Sequence, residues 1–269
     1  MGRIRHSHYQ IRSTSPGGGY FGSARIAVLA DLHNCVYRSN VDTLLEEIRK
    51  ENCDAVLSAG DLVLMKNEHY ETGQALRLVC TLAETVPVYV SDGNHETRMR
   101  RLHENEYLRY EEALESAGIV RLHNQSTDVE LNGLRLRITG LELDRRYFRN
   151  RYHKNLSVEE IRELVGECSR DRFQILLAHH PKYFPIYAKW GADLTLSGHL
   201  HGGIVNLPGV GGVISPDPAL FPHYDHGLFE QGKSKMIVSA GLGTHSINIR
   251  INNPPELVIA DITVESYGN

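Results

Sequence analysis

Short apolar runs alternate with amphipathic stretches along the chain, and the two periods separate strand from helix. Arg25-Ile26-Ala27-Val28-Leu29-Ala30 is apolar without polar alternation, as in a strand buried on both faces, and it stops at Asp31. Val41, Leu44, Leu45 and Ile48 then recur at helical spacing with Asp42, Glu46, Glu47, Arg49 and Lys50 on the other face. This predicts a helix over 40–50 with Asn40 as its N-cap. A strand at Ala55-Val56-Leu57-Ser58, a helix across about 67–84 and a strand over 86–90 follow. The β-α-β-α-β order implies parallel strands joined by helical crossovers.

The second half continues with a helix over about 96–117, closed by Gly118, and a hairpin turning at Asn132-Gly133. A helix at about 157–168 leads to the strand 173–178, which stops at His179-His180-Pro181; the strand 192–197 stops at Gly198-His199. The last sixty residues are Gly-rich and strand-like, with 235–239 and 256–260 the clearest strands. The segment before Arg25 reads as a polar start with a Gly17-Gly18-Gly19 turn. With no fixed-period repeat and no linker, residues 1–269 read as one α/β domain.

Composition narrows the class. Of 269 residues, 41% are hydrophobic and 23% charged, which excludes disordered, collagen-like and membrane-spanning chains. A net charge of −4 without a basic stripe argues against nucleic-acid binding. No apolar run approaches the ~18 residues of a membrane span, and the first 25 residues hold no signal-peptide core, so a cytoplasmic setting is expected. The four cysteines, Cys35, Cys53, Cys80 and Cys168, are scattered and read as reduced thiols in or near the core. Histidine, at 15 residues, is the excess.

That excess sits at strand ends. Asp31 with His33, Asp61 after Gly60, Asn94 with His95 after Gly93, His179, and His199 with His201 each follow an expected strand. In open α/β sheets ligands bind outside the carboxyl ends of the strands, so these groups should converge as a metal site. Asp31, His33, Asp61, Asn94, His179, His199 and His201 are too many donors for one tetrahedral ion, whereas two ions sharing a carboxylate account for them. Gly60, Gly93 and Gly198 each precede a donor, where glycine would accept a left-handed turn.

Asp31-Leu32-His33, Gly60-Asp61, Gly93-Asn94-His95-Glu96, His179 and Gly198-His199-Leu200-His201 resemble, in order and spacing, the five signature blocks of calcineurin-like metallophosphoesterases. The resemblance runs over about residues 25–262, and segments 8–13, 25–34 and 224–262 are similar to the bacterial branch represented by YkuE and YaeI. It implies a four-layer α/β/β/α sandwich of two mixed sheets with a dinuclear site. Asp31, His33 and His201 would hold one ion, Asn94, His179 and His199 the other, and Asp61 would bridge them. His95 would be the catalytic histidine without a metal. The implied activity is hydrolysis of a phosphodiester or small phosphomonoester through attack of a metal-bridging hydroxide. The alternatives are a non-catalytic scaffold of the same fold, a hydrolase acting on a nucleotide-linked lipid pyrophosphate, and a metallohydrolase of another class. Two divalent ions are implied, and mixed His, carboxylate and amide donors suit Mn, Fe and Zn alike. Members of the branch often carry an N-terminal membrane segment, which is not read in this sequence; by family analogy the protein could still lie peripheral to a membrane.

The other histidines divide into two groups. Either member of the His179-His180 pair fits as the ligand, His179 being favoured because it directly follows the strand; His180 otherwise, and His223, His226 and His245 in the tail, are candidates for supporting the ligands or touching substrate. His6, His8, His69, His103, His123 and His153 lie in polar contexts and read as solvated. Glu96 reads as a residue that orients its loop rather than one that acts on substrate.

Overall fold

Two six-stranded mixed sheets face each other, and each carries helices on its outer side. This computed structural model describes residues 3–15, 20–37, 39–66, 69–148, 155–203, 205–207, 211–214, 222–244 and 249–266. The first sheet orders β1 (Arg5–Ser15), β16 (Glu256–Ser266), β2 (Gly22–Leu29), β3 (Ala55–Ser58), β6 (Val88–Val90) and β7 (Val120–Arg121). Here β2, β3, β6 and β7 run parallel, as the βαβ order predicts, and β16 is antiparallel to β2. The second sheet orders β14 (Gly227–Gln231), β15 (Ser234–Val238), β11 (Leu194–Ser197), β10 (Phe173–Ala178), β9 (Leu134–Leu141) and β8 (Gln125–Leu131). Its four central strands are parallel and both edges antiparallel.

The continuous apolar run before Asp31 is explained by burial on both faces. Ile26 and Val28 enter the core between the sheets with Leu57, Ile138, Ile175, Leu177, Leu196 and Val258. Ala27 and Leu29 meet the helices instead. Over the first sheet lie α1 (Val41–Lys50), α2 (Gly73–Ala83) and α4 (Glu104–Ser116), whose Leu44, Leu78 and Leu114 pack on Val56 and Val90. Over the second lie α5 (Val158–Val165) and α6 (Phe184–Trp190), where Ile161, Tyr187 and Trp190 join Leu176 and Ala178. Each such fully buried side chain contributes about 1.5–3 kcal/mol. The result is the expected α/β/β/α sandwich.

Several elements differ from the sequence reading. The polar start is strand β1, paired with β16 over its full length. The expected helix over 67–84 begins only at Gly73; ahead of it β4 (Leu64–Lys66) and β5 (His69–Glu71) form a small antiparallel ladder. The expected helix over 96–117 is two helices, α3 (Asn94–Leu102) and α4, separated where His103 leaves helical backbone at φ −142°, ψ 59°. Helix α6 was not expected, and β12 (Val205–Leu207) pairs with β13 (Gly211–Ile214) apart from both sheets. Cys53 is buried as expected, but Cys35 is exposed. Among the described residues no helix is long and apolar enough to cross a membrane.

Candidate metal centre

Strands of both sheets deliver the candidate donors to one end of the sandwich. Asp31 and His33 follow β2, Asp61 follows β3, and Asn94 and His95 open α3 beyond β6. From the second sheet, His179 follows β10, and His199 and His201 follow β11. Residues up to 170 positions apart thus meet in a buried cluster, with Asp31 and His33 fully inaccessible.

The cluster resolves into overlapping triads whose donor atoms lie within 4.8 Å of one another: Asp31 with His33 and His201, His33 with Asp61 and His95, and Asp61 with His179 and His199. His33 Nε2 and His201 Nε2 face each other at 3.0 Å, their rings stacked 7° from parallel. Asp31 Oδ1 lies 3.5 Å from His201 Nε2 and 3.8 Å from His179 Nε2. Asp61 Oδ2 lies between the two halves, 3.1 Å from His179 Nε2 and 4.0 Å from His33 Nε2. Asn94 Oδ1 is buried with no hydrogen-bond partner, and His179 Nε2 is buried without a well-aligned one. His179 Nδ1 is directed at the Ala59 carbonyl at 2.8 Å, a bond that turns the other nitrogen into the cluster.

The electrostatics follow from packing carboxylates and imidazoles without water. Burial pushes the Asp31 carboxyl up to about 6, helped by Asp61 and opposed by His179 and His199. Burial would raise Asp61 as well, but His179, His95 and His33 outweigh it and hold its carboxyl well below the usual range. Burial alone would lower His179, yet Asp61 and Asp31 hold its imidazole up at about 10. Arg250 is also buried, and its guanidinium donates to the carbonyls of Gly241, Gly243, Ala240 and His201, holding the loops under Asp31.

The expected role of the glycines needs correction. Only Gly60 has positive φ, at 101°. Gly93 and Gly198 are needed for close approach: a Cβ at Gly93 would sit 2.6 Å from Asp61 N, and one at Gly198 2.5 Å from Asp31 Oδ2. The left-handed turns fall on the donors themselves, with Asp31 at φ 50°, His33 at 47°, Asp61 at 54°, His199 at 74° and His201 at 53°.

Neighbouring residues lock these loops. Glu96 is buried and accepts from Asp61 N at 2.9 Å, Val63 N at 2.9 Å and Gly93 N at 2.8 Å, which ties two donor loops together. Its orienting role therefore stands, and burial together with Asp61 pushes its carboxyl up to about 7. Sequence reasoning missed Asn34, whose Oδ1 accepts from Gln74 N and Ala75 N at 2.7 and 3.0 Å and so caps α2 from the donor loop. It also missed Arg250 and Asn253, the latter donating to the carbonyls of His201 and Gly203. Only Asn34 had a local signal, its position next to His33.

Of the remaining candidates, His180 lies beside the cluster but in none of the triads. Burial, then His199, His179 and Lys182, hold its imidazole well below the ordinary value, and Phe148 stacks on its ring at 5.3 Å. His226 stands apart from the triads: its Nδ1 is 3.1 Å from Asp225 Oδ2, which also accepts from Gly212 N. His223 packs on Tyr224. His245 and His153 lie outside the described residues. His123 is not simply solvated, since it pairs with the buried Glu142 at 2.6 Å.

The chain is similar in sequence to known metallophosphoesterases. F40B5.2 of Caenorhabditis elegans, named as a metallophosphoesterase, is 31% identical over 197 residues, covering 68% of this chain but only 37% of that protein. This chain is therefore much shorter than that relative. The phosphodiesterase YaeI of Escherichia coli is 26% identical over 246 residues, covering 88% of this chain and 82% of the other. The structure of Haemophilus influenzae NAD nucleotidase shares the fold, with TM-score 0.50 and 14% identity over 83% of this chain and 46% of that one. The calcineurin-like phosphoesterase profile matches residues 24–203, a span that contains all seven candidate donors and His95. With that match over most of its length, the chain belongs to the calcineurin-like phosphoesterase family.

Proposed function

We propose that the protein is a metal-dependent phosphoesterase, acting on a phosphodiester or small phosphomonoester at a dinuclear centre within one domain. The observation that carries the reading is the pair of donor triads Asp31–His33–His201 and Asp61–His179–His199, with Asp61 also 4.0 Å from His33 of the first, supported by the family match. The residues suit two divalent ions: two buried carboxylates stand among imidazoles, and the buried Asn94 Oδ1 and His179 Nε2 lack aligned partners. A cation answers both needs, since unpaired buried polar atoms each cost about 1–3 kcal/mol. Asp31, His33 and His201 would hold one ion, Asn94, His179 and His199 the other, with Asp61 shared. Bound ions would supply an acidified water near neutral pH and a Lewis-acid grip on the phosphoryl oxygens.

The chain's own residues supply orientation and a proton. Met65 N donates to His95 Nδ1 at 2.8 Å, so neutral His95 carries its hydrogen on Nε2. His95 N in turn donates to Asp61 Oδ1 at 2.8 Å, fixing the residue against the shared carboxylate. Held in this tautomer, His95 is suited to donate from Nε2 to a phosphoryl or leaving oxygen. Glu96 keeps Asp61 and Gly93 in register through its three backbone bonds.

The test is chelator-stripped protein assayed with and without added Mn²⁺ on bis-p-nitrophenyl phosphate and p-nitrophenyl phosphate. Turnover of at least one substrate should depend on the metal. Two ions bound with no turnover of either would favour a scaffold that keeps the fold without the chemistry.

A further inference from the structure

The N-terminal strand contributes to a second cluster of side chains of metal-ligating type, which shares no residue with the candidate donors above. His6 and His8 alternate onto the same outer face of β1, next to the last turn of α1. His6 Nδ1 lies 2.7 Å from Glu51 Oε1, and His8 Nε2 approaches that same oxygen to 3.5 Å. His6 Nε2 is 3.0 Å from Glu47 Oε2. The donor atoms of His6, His8 and Glu51 all fall within 4.8 Å of one another. Two imidazoles from alternate strand positions therefore converge on one carboxylate oxygen, with a second carboxylate one helical turn away.

Three features suit a cation here. Donors bound at about 2.0–2.1 Å in a tetrahedron stand roughly 3.3 Å apart, and the observed separations bracket that spacing. The cluster lies at the carboxyl end of α1, where the helix dipole favours positive charge. The nearby cations are directed elsewhere: Lys50 Nζ pairs with Glu47 Oε1 at 2.8 Å, and Arg25 donates to the Glu51 backbone carbonyl. Mixed nitrogen and oxygen donors select a borderline first-row ion over Ca²⁺ or Mg²⁺, which prefer all-oxygen shells.

We propose that His6, His8 and Glu51 form a peripheral site for a divalent ion of the Zn²⁺ class, while Glu47 holds the other ring nitrogen of His6. The site clamps β1 to α1. Among the described residues this strand is the edge of its sheet, with β16 as its one strand partner, so an ion joining it to a helix would secure the amino-terminal segment. The proposal is independent of phosphoesterase activity.

Equilibrium dialysis of chelator-stripped protein against Zn²⁺, followed by metal analysis, tests it. Wild type should bind one zinc more than a His6→Ala/His8→Ala pair, and the pair should keep its turnover. In Asp61→Ala, which disturbs the strand-end centre, the peripheral ion should remain. His8→Ala alone changes a side chain that is 44% exposed and should weaken the extra zinc by at least about tenfold. Zinc should also slow hydrogen exchange of the β1 amides in wild type but not in His8→Ala. Equal zinc stoichiometry and affinity in wild type and both variants, or β1 protection that ignores His8, would overturn the proposal and leave an ion-pair cluster.

Discussion

Replacing Gly93 by alanine separates steric confinement from backbone strain. Its φ of −97° is open to any residue, so alanine meets no conformational penalty there. The added Cβ, however, would stand 2.6 Å from Asp61 N and against Asp61 Oδ1, whereas nine in ten real Cβ contacts are longer than 3.4 Å. The Asp61 backbone nitrogen must give by about 0.8 Å and Oδ1 by more, yet that backbone is tied on its other side to Glu96. Overpacking of this kind costs about 1–3 kcal/mol of stability, and a displacement near 1 Å at a reacting centre costs about 100-fold in rate. Gly118→Ala is the control: its φ of +74° makes alanine strained, but nothing lies within 4 Å. Both variants should lose comparable stability in a denaturant titration. Only Gly93→Ala should lose about 100-fold in kcat/KM on bis-p-nitrophenyl phosphate under saturating Mn²⁺, together with part of its metal. If Gly93→Ala binds both ions and turns over within threefold of wild type, the close approach of the two loops is not what positions Asp61.

Asp61→Ala should lose at least one ion, and full occupancy by metal analysis would remove Asp61 from its shared position. His95→Ala should keep both ions and lose about 10²–10⁴ in turnover. It should also lose about 1–3 kcal/mol of stability, because Met65 N is left without its acceptor. Glu96→Gln sets an amide N–H₂ against backbone N–H donors and should weaken metal binding through displaced loops; unchanged Mn²⁺ affinity by calorimetry would count against its tying role. His180 is held neutral in the fold, so below the ordinary histidine value of about 6.5 the unfolded chain takes up the extra proton and stability falls. His180→Asn should flatten that acid-side slope by up to about 1.4 kcal/mol per pH unit in metal-free urea titrations, and identical slopes would show that His180 charges in place.

The strand-end positions of the candidate donors were legible because a strand buried on both faces announces itself as an apolar run, and the polar residue that ends it is conspicuous. Each of Asp31, Asp61, His179 and His199 stands close beyond such a run. What escaped was set by distant partners. Strand β1 shows only Tyr9 and Ile11 as inward apolar residues, because an edge strand with a polar outer face needs little hydrophobic contrast. The start of α2 is capped by Asn34, about forty residues earlier, so no neighbouring residue marks it. The break at His103 contains neither proline nor glycine. Its ring instead packs on Tyr70 from the β4–β5 ladder, a contact that local periodicity does not report. Likewise His6, His8 and His123 read as solvated because their carboxylate partners are remote in sequence.

The left-handed backbone at Asp31, His33, Asp61, His199 and His201 bears on how this chain tolerates redesign. A non-glycine residue in that conformation costs about 1–2 kcal/mol, although Asp and His accept it better than most. Substitutions chosen for stability alone would therefore favour glycine or asparagine at five of the seven candidate donor positions. Each improvement in folding would remove a candidate ligand. For this fold, stability ranking and functional ranking of variants should run in opposite directions at these five sites, and a redesign protocol blind to metal would dismantle the centre first.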